Sequence, residues 1–205
     1  INSTTIAGTV GVVTATVSYY GVDALAGYGL GSRLEIIITP LVFGIGSVLT
    51  ATVGINAGAN QINRARNIAW VGAIISFLVV GIISGIVSFY PELWLDNFQT
   101  NFLSKQSAIL YLIIVVPFYC FFAAGQTLYF ASQGTGKIFY PVLVGVIRFL
   151  SVSIICYLAI KFSWSINSIF YAVSFGLGIT GIGLGLCMLS RDWKSEINQK
   201  KTLNT

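Results

Sequence analysis

Residues 28–70 read YGLGSRLEIIITPLVFGIGSVLTATVGINAGANQINRARNIAW, and this stretch decides what kind of chain this is. From Ile36 to Val53 it holds no charge and one proline, Pro40. About 18 to 20 such residues, rising ~1.5 Å each, cross a hydrocarbon layer ~30 Å thick. The run ends in small and polar residues, Gly54 to Asn60, and Arg64 and Arg66 follow at once. Lysine and arginine collect in this way on the cytoplasmic flank of a span. The pattern predicts a membrane-crossing helix over 34–53, a tight exit and a returning helix.

Composition extends that reading to the whole chain. Hydrophobic residues make up 56% and charged residues 8%, with a mean hydropathy of +0.86, against ~25% charged in a soluble domain. Eleven basic residues against six acidic ones give a net charge of +5. The basic residues sit in short connections between apolar runs, where the positive-inside rule accounts for them. Nucleic-acid binding is set aside, because it needs a basic face in solvent. There is no histidine, which removes the usual general base and metal ligand, so an enzyme is not expected. Cys120, Cys156 and Cys187 stand far apart in apolar runs and predict neither a zinc site nor a disulfide. The opening INSTTIAGTV has no methionine and no charged leader, and reads as the middle of a longer protein.

Six apolar runs follow one another, over about 1–20, 34–53, 68–90, 108–130, 138–160 and 166–189, with a basic polar tail at 191–205. The expected fold is an all-α integral membrane bundle of six transmembrane helices. Gly21 to Arg33 reads as a glycine-rich connection, and ASQGTGK, 131–137, as a turn. Because connections alternate sides, Arg64, Arg66, Lys137 and the tail's Arg191, Lys194, Lys200 and Lys201 share one face. Only Arg33, Lys105 and Lys161 fall on the other, so the first face is expected in the cytoplasm. Tyr19, Tyr20, Tyr90, Trp94, Trp164 and Trp193 fall at the span ends, as interfacial aromatics do.

Two motifs invite a nucleotide reading and do not sustain it. Gly176, Gly178 and Gly181 spell GxGxxG, but inside an apolar run without a strand before it. GTGK at 134–137 has Ala131 where a phosphate loop starts with glycine, and Ile138 where it needs Ser or Thr. The first, like the GxxxG at Gly81 and Gly85, reads as a face for close helix packing.

Few residues remain that could act inside a membrane. Arg148 lies ten residues past Ile138, ~15 Å along a helix and near mid-bilayer. A charge there costs at least ~2.5 to 3.5 kcal/mol and must face a partner or water. It is either a tie between neighbouring helices or a cavity-lining group. Pro117 should kink the fourth span. Gln126, Tyr129 and Gln133 share one face beyond that kink at i, i+3 and i+7, and are read as cavity-lining. Glu35, two residues from Arg33 at the expected outer end of the second span, is read as facing headgroups, with a gate as the alternative.

The order GVDALAGYGLGSRLEIIITPLVFGIGSVLTATVGINAGANQINRA, then PFYCFFAAGQTLYFASQGTGK, resembles the second half of the multidrug and toxic compound extrusion family. The likeness runs over essentially the whole chain, and NAGANQINRA at 56–65 is similar to the family's signature between spans eight and nine. The resemblance implies one lobe of a twelve-helix, two-lobe transporter in a cell membrane, a bacterial inner membrane by expectation. It implies export of amphipathic, often cationic, small molecules in exchange for H+ or Na+, with no cofactor and with an N-terminal lobe as partner. Some members place a coupling Glu early in span seven and an Asp in span ten. Here Asn2 to Thr5 stand in the first place and Gln126 in the second, and none can carry a negative charge. This departure implies a coupling aspartate in the other lobe, leaving Asn2, Thr5, Gln126, Tyr129, Gln133 and Arg148 as the pathway candidates here. A flippase for lipid-linked sugars, or a non-transporting scaffold, is the alternative.

Overall fold

The computed structural model describes residues 2–189, so the expected tail, with Trp193 and its basic residues, lies outside the described residues. The chain is all-α. Its elements are α1 (Asn2–Ser18), α2 (Val22–Gly58), α3 (Ile62–Phe89), the short α4 (Pro91–Leu95), α5 (Phe102–Ile114), a 3-10 turn (Val116–Phe118), α6 (Tyr119–Thr135), α7 (Phe139–Lys161) and α8 (Ile166–Leu189). Five apolar segments are long enough to cross a membrane, one of them the α5–α6 pair, and α1 packs beside them as the sixth member of the bundle. Outward faces are apolar, with Ile36, Val71, Ile82, Leu150 and Leu186 all more than half exposed. This is a multi-pass membrane protein.

Several helices run past the spans read from the sequence. Helix α2 starts twelve residues before the expected boundary at 34, because the glycines of GVDALAGYGLGSR serve packing. Gly27 meets α5 at Ser104 and Ala108, and Gly31 leaves no room for a methyl group beside Tyr111. Close tertiary contact outweighs the ~1 kcal/mol helix penalty of each glycine. Asp23 lies in the first turn of α2, where a negative charge suits the helix dipole, and accepts hydrogen bonds from Asn101 Nδ2 at 2.7 Å and Ser104 Oγ at 3.2 Å. The 131–137 stretch is mostly helix too. Only Gly136, at φ 76°, closes α6 in the left-handed conformation that glycine supplies.

Pro117 breaks the fourth span into α5 and α6. Phe118 N donates to Val115 O instead of Ile114 O, making the 3-10 turn. Beyond the break, α6 is the centre of the bundle, with eleven of its 17 residues buried. Gly125 and Gly181 let α6 and α8 approach backbone to backbone: an added Cβ would stand 2.7 Å from Thr180 O or 2.6 Å from Phe121 O. The GxGxxG glycines thus pack closely at Gly176 and Gly181. The GxxxG at Gly81 and Gly85 does not, since Gly81 meets only Cys120 at an ordinary 3.5 Å and Gly85 meets nothing within 4 Å.

The core divides into two apolar clusters stacked along the bundle. One holds Val42, Val80, Phe122, Ala123, Val152 and Leu177; the other holds Val53, Ala73, Leu128, Val144 and Leu184. Between them along the chain, on α3, α6, α7 and α8, lie the buried polar residues Ser76, Gln126, Thr127, Arg148 and Thr180. Thr127 Oγ1 lies 2.8 Å from Ser76 Oγ, bridging α6 and α3.

Candidate functional site

Arg148 belongs to the inward stripe of α7, which runs Pro141, Val144, Gly145, Arg148, Val152, Cys156 and Ala159 at helical spacing. The guanidinium therefore points into the bundle, and only 5% of the residue is exposed. Its Nε is buried without a hydrogen-bond partner. A fully buried guanidinium that ties helices together would spend its donors on carbonyls and hydroxyls. Arg148 instead lines a cavity of about 40 Å³, room for a few waters or a small cation.

The cavity is built from almost every helix of the bundle. Thr9 enters from α1, Tyr28 and Glu35 from α2, Tyr111 from α5, Phe122 from α6, Arg148 from α7 and Gly176 from α8. Tyr28 and Glu35 are seven residues apart, two turns along one face of α2. The Tyr28 and Tyr111 rings meet edge to face at 5.4 Å, and the Tyr111 and Tyr119 hydroxyls share a buried hydrogen bond of 2.9 Å. Thr9 Oγ1 donates to Thr5 O at 2.7 Å. Gly176 opens the space beside Arg148: a Cβ there would sit 2.6 Å from Val152 Cγ2 and 3.3 Å from Arg148 Cγ.

Glu35 departs most from the sequence reading. It lies thirteen residues into α2, ~20 Å from the start of the helix. It is half-buried and lines the cavity with Arg148. The headgroup position followed from starting the helix at 34, and the early start of α2 removes it. Among the described residues the ion pair within 4 Å is Lys105–Asp96 at 3.0 Å, at the bundle's edge. The two opposite charges face one space without closing on each other.

The other candidates are placed apart from it. Asn2 is the first residue of α1 and Thr5 lies one turn on, half-buried. Gln126 and Tyr129 are buried in α6, while Gln133 is exposed. From α6 the cavity takes Phe122 instead of these three. The sequence reading gave Glu35 to the headgroups, with a gate as the alternative, and did not single out Tyr28, Tyr111 or Thr9; the signal joining Tyr28 to Glu35 was the i, i+7 spacing across YGLGSRLE.

A family model described as MatE matches residues 8–158. The chain belongs to the MatE family. Among its relatives, a probable multidrug resistance protein of Bacillus subtilis (strain 168), YoeA, is 20% identical over 142 residues, 69% of this chain and 31% of that protein. The MATE transporter ClbM, solved in complex with Rb+, superposes with a TM-score of 0.85 at 21% identity, over 96% of this chain and 47% of that one. The Vibrio cholerae MATE transporter VcmN gives 0.82 at 16% identity, over 95% and 44%. The MatE chain thus spans less than half the length of each of these relatives, and its fold is that of one MATE lobe, as the NAGANQINRA resemblance implied.

Proposed function

We propose that this MatE chain is one lobe of a two-lobe, cation-coupled efflux transporter, and that Glu35 is the group in this lobe that meets the coupling ion, H+ or Na+. The observation that carries the reading is the unclosed pair: Glu35 and Arg148 line one cavity inside a membrane bundle with no ion pair between them. A carboxylate is costly in the membrane interior unless it is paired, hydrated or protonated. With Arg148 standing off, the carboxylate keeps room for a proton or a small cation, and the guanidinium offsets its charge while the site is empty. Ion occupancy then changes the charge balance between α2 and α7, two elements of the bundle that the cavity joins. That is the kind of local event that can bias a lobe between two arrangements. The Rb+ complex of ClbM supports cation binding in a relative of this fold. The second lobe, the substrate cleft, a cytoplasmic Arg64/Arg66 face and residence in a bacterial cell membrane belong to the same proposal.

The test uses the complete protein in proteoliposomes with an imposed pH or sodium gradient, reading efflux of an ethidium-like cation. Glu35→Gln is expected to insert normally and lose gradient-driven efflux by tenfold or more. Efflux by Glu35→Gln equal to that of the parent would remove Glu35 from the coupling path.

A further inference from the structure

A second feature, independent of the ion cavity, lies on the outside of the bundle. Helices α2 and α3 enclose a surface groove of about 540 Å³. Its floor is set by Gly72, where a methyl group would collide with Leu49. Its walls are apolar over most of their length, with Val48 and Val71 more than half exposed. The polar lining residues Arg64 and Asn67 belong to the first two turns of α3, and Thr52 lies in the last two turns of α2. All three therefore sit at one end.

The groove has the depth of one leaflet. Ile45, its far residue on α2, is thirteen residues from Gly58, and Ile75, its far residue on α3, is thirteen residues from Ile62. Each interval is ~20 Å at ~1.5 Å per residue, which spans an interface and the ~15 Å half-thickness of a ~30 Å hydrocarbon core. An occupant that fits must be apolar for that depth and anionic at the top. Arg64 is exposed, with a long 3.4 Å hydrogen bond to Gln61 Oε1, so its guanidinium is open to a phosphate. Basic residues at the mouth of an interhelical groove are the usual way a membrane protein holds an acidic headgroup.

We propose that the α2–α3 groove is a binding site for a single anionic glycerophospholipid from the leaflet on the Arg64 side. One acyl chain lies between Val48 and Val71, and the phosphate rests on Arg64. A lipid held there would rest against the helix that carries Glu35.

Native mass spectrometry of the complete protein, released from detergent with matched phosphatidylglycerol or phosphatidylcholine, reads retention directly. At least a fivefold preference for phosphatidylglycerol is expected. Arg64→Glu should abolish the preference, and Val48→Trp, which fills the groove and leaves the guanidinium intact, should lower retention at least fivefold. Equal retention of the two lipids by the parent overturns the proposal, as does parent-like retention by both variants. A photo-crosslinking residue at Val71 separates the occupants. Crosslinking to lipid is expected, whereas crosslinking to the other lobe or to a second copy would show a protein-covered groove and end the proposal. Displacement of phosphatidylglycerol by millimolar inorganic phosphate would also overturn it, because the acyl chain would then contribute nothing.

Discussion

Ser174 Oγ on α8 donates to the carbonyl of Ile114 on α5 at 2.8 Å, and that carbonyl is the one Phe118 N abandons when Pro117 forces the 3-10 turn. The same hydroxyl lies 3.0 Å from Phe170 O. A break in a membrane helix exposes backbone groups that lipid cannot satisfy, and here a side chain from another helix covers the gap. Ser174→Ala should destabilise the lobe by about 1 to 3 kcal/mol, the penalty for leaving a buried carbonyl unmet. Thermal unfolding in detergent checks this, with Ser174→Thr as the rescue. An unchanged midpoint in Ser174→Ala would mean that water or a relaxed turn replaces the bond.

Arg148 separates stability from function. Among the described residues its Nε has no partner and no carboxylate lies within 4 Å, so its removal breaks no close pair there. Removing an unpaired charge from the membrane interior relieves its insertion cost, and Glu35, left without the guanidinium, can stay neutral by taking a proton. Arg148→Met is therefore expected to express and melt within about 1 kcal/mol of the parent, while gradient-driven efflux by the complete protein falls or shifts in its dependence on pH or sodium. Arg148→Lys keeps the charge but loses the planar fork, and should retain more activity than Met. A large loss of melting temperature in Arg148→Met would restore the role of structural tie.

Glycines in similar motifs are predicted to differ in their tolerance. A Cβ at Gly181 would press on the backbone of Phe121, whereas one at Gly85 meets open space. Overpacking a close backbone contact costs about 1 to 3 kcal/mol or more. Gly181→Val should lower folded yield and melting temperature sharply, and Gly85→Val should change neither. Fluorescence-detected size-exclusion chromatography of both variants is enough to compare them.

The orientation proposed for the lobe can be read at the Arg64 turn. Asn60, exposed between α2 and α3, takes a left-handed φ of 62°, a conformation asparagine tolerates better than most residues. A cysteine at Asn60 should react with an impermeant maleimide only from the cytoplasmic side. Labelling only from outside would reverse the topology and the charge argument behind it.

The spans and the family were legible in the sequence because each rests on a strong local signal: long uncharged runs, and the NAGANQINRA turn. Helix α2 runs five residues past the expected 53 and α3 starts six before the expected 68, because a helix continues beyond its apolar run into the connection. What misled was glycine. In GVDALAGYGLGSR it reads as a loop by propensity, yet Gly27 and Gly31 are helical because α5 needs the space. That one misreading moved Glu35 from the interior to the interface. Arg148 was legible as a deep charge, since depth follows from counting residues, but its cavity partner lies 113 positions away on another helix. No pattern along the chain joins them. The i, i+3, i+7 spacing of Gln126, Tyr129 and Gln133 could not say which neighbour each meets, because most of α6 is enclosed: the first two are buried and Gln133 is exposed.

The polar layer between the two apolar clusters does more than hold Arg148. Apolar membrane helices can slide past one another by a turn with little change in what their side chains touch. The hydrogen bond between Thr127 and Ser76 removes that freedom between α6 and α3, because a one-turn slip would break it and leave two buried hydroxyls facing apolar side chains. The pair therefore acts as a ruler, fixing the relative heights of α3 and α6.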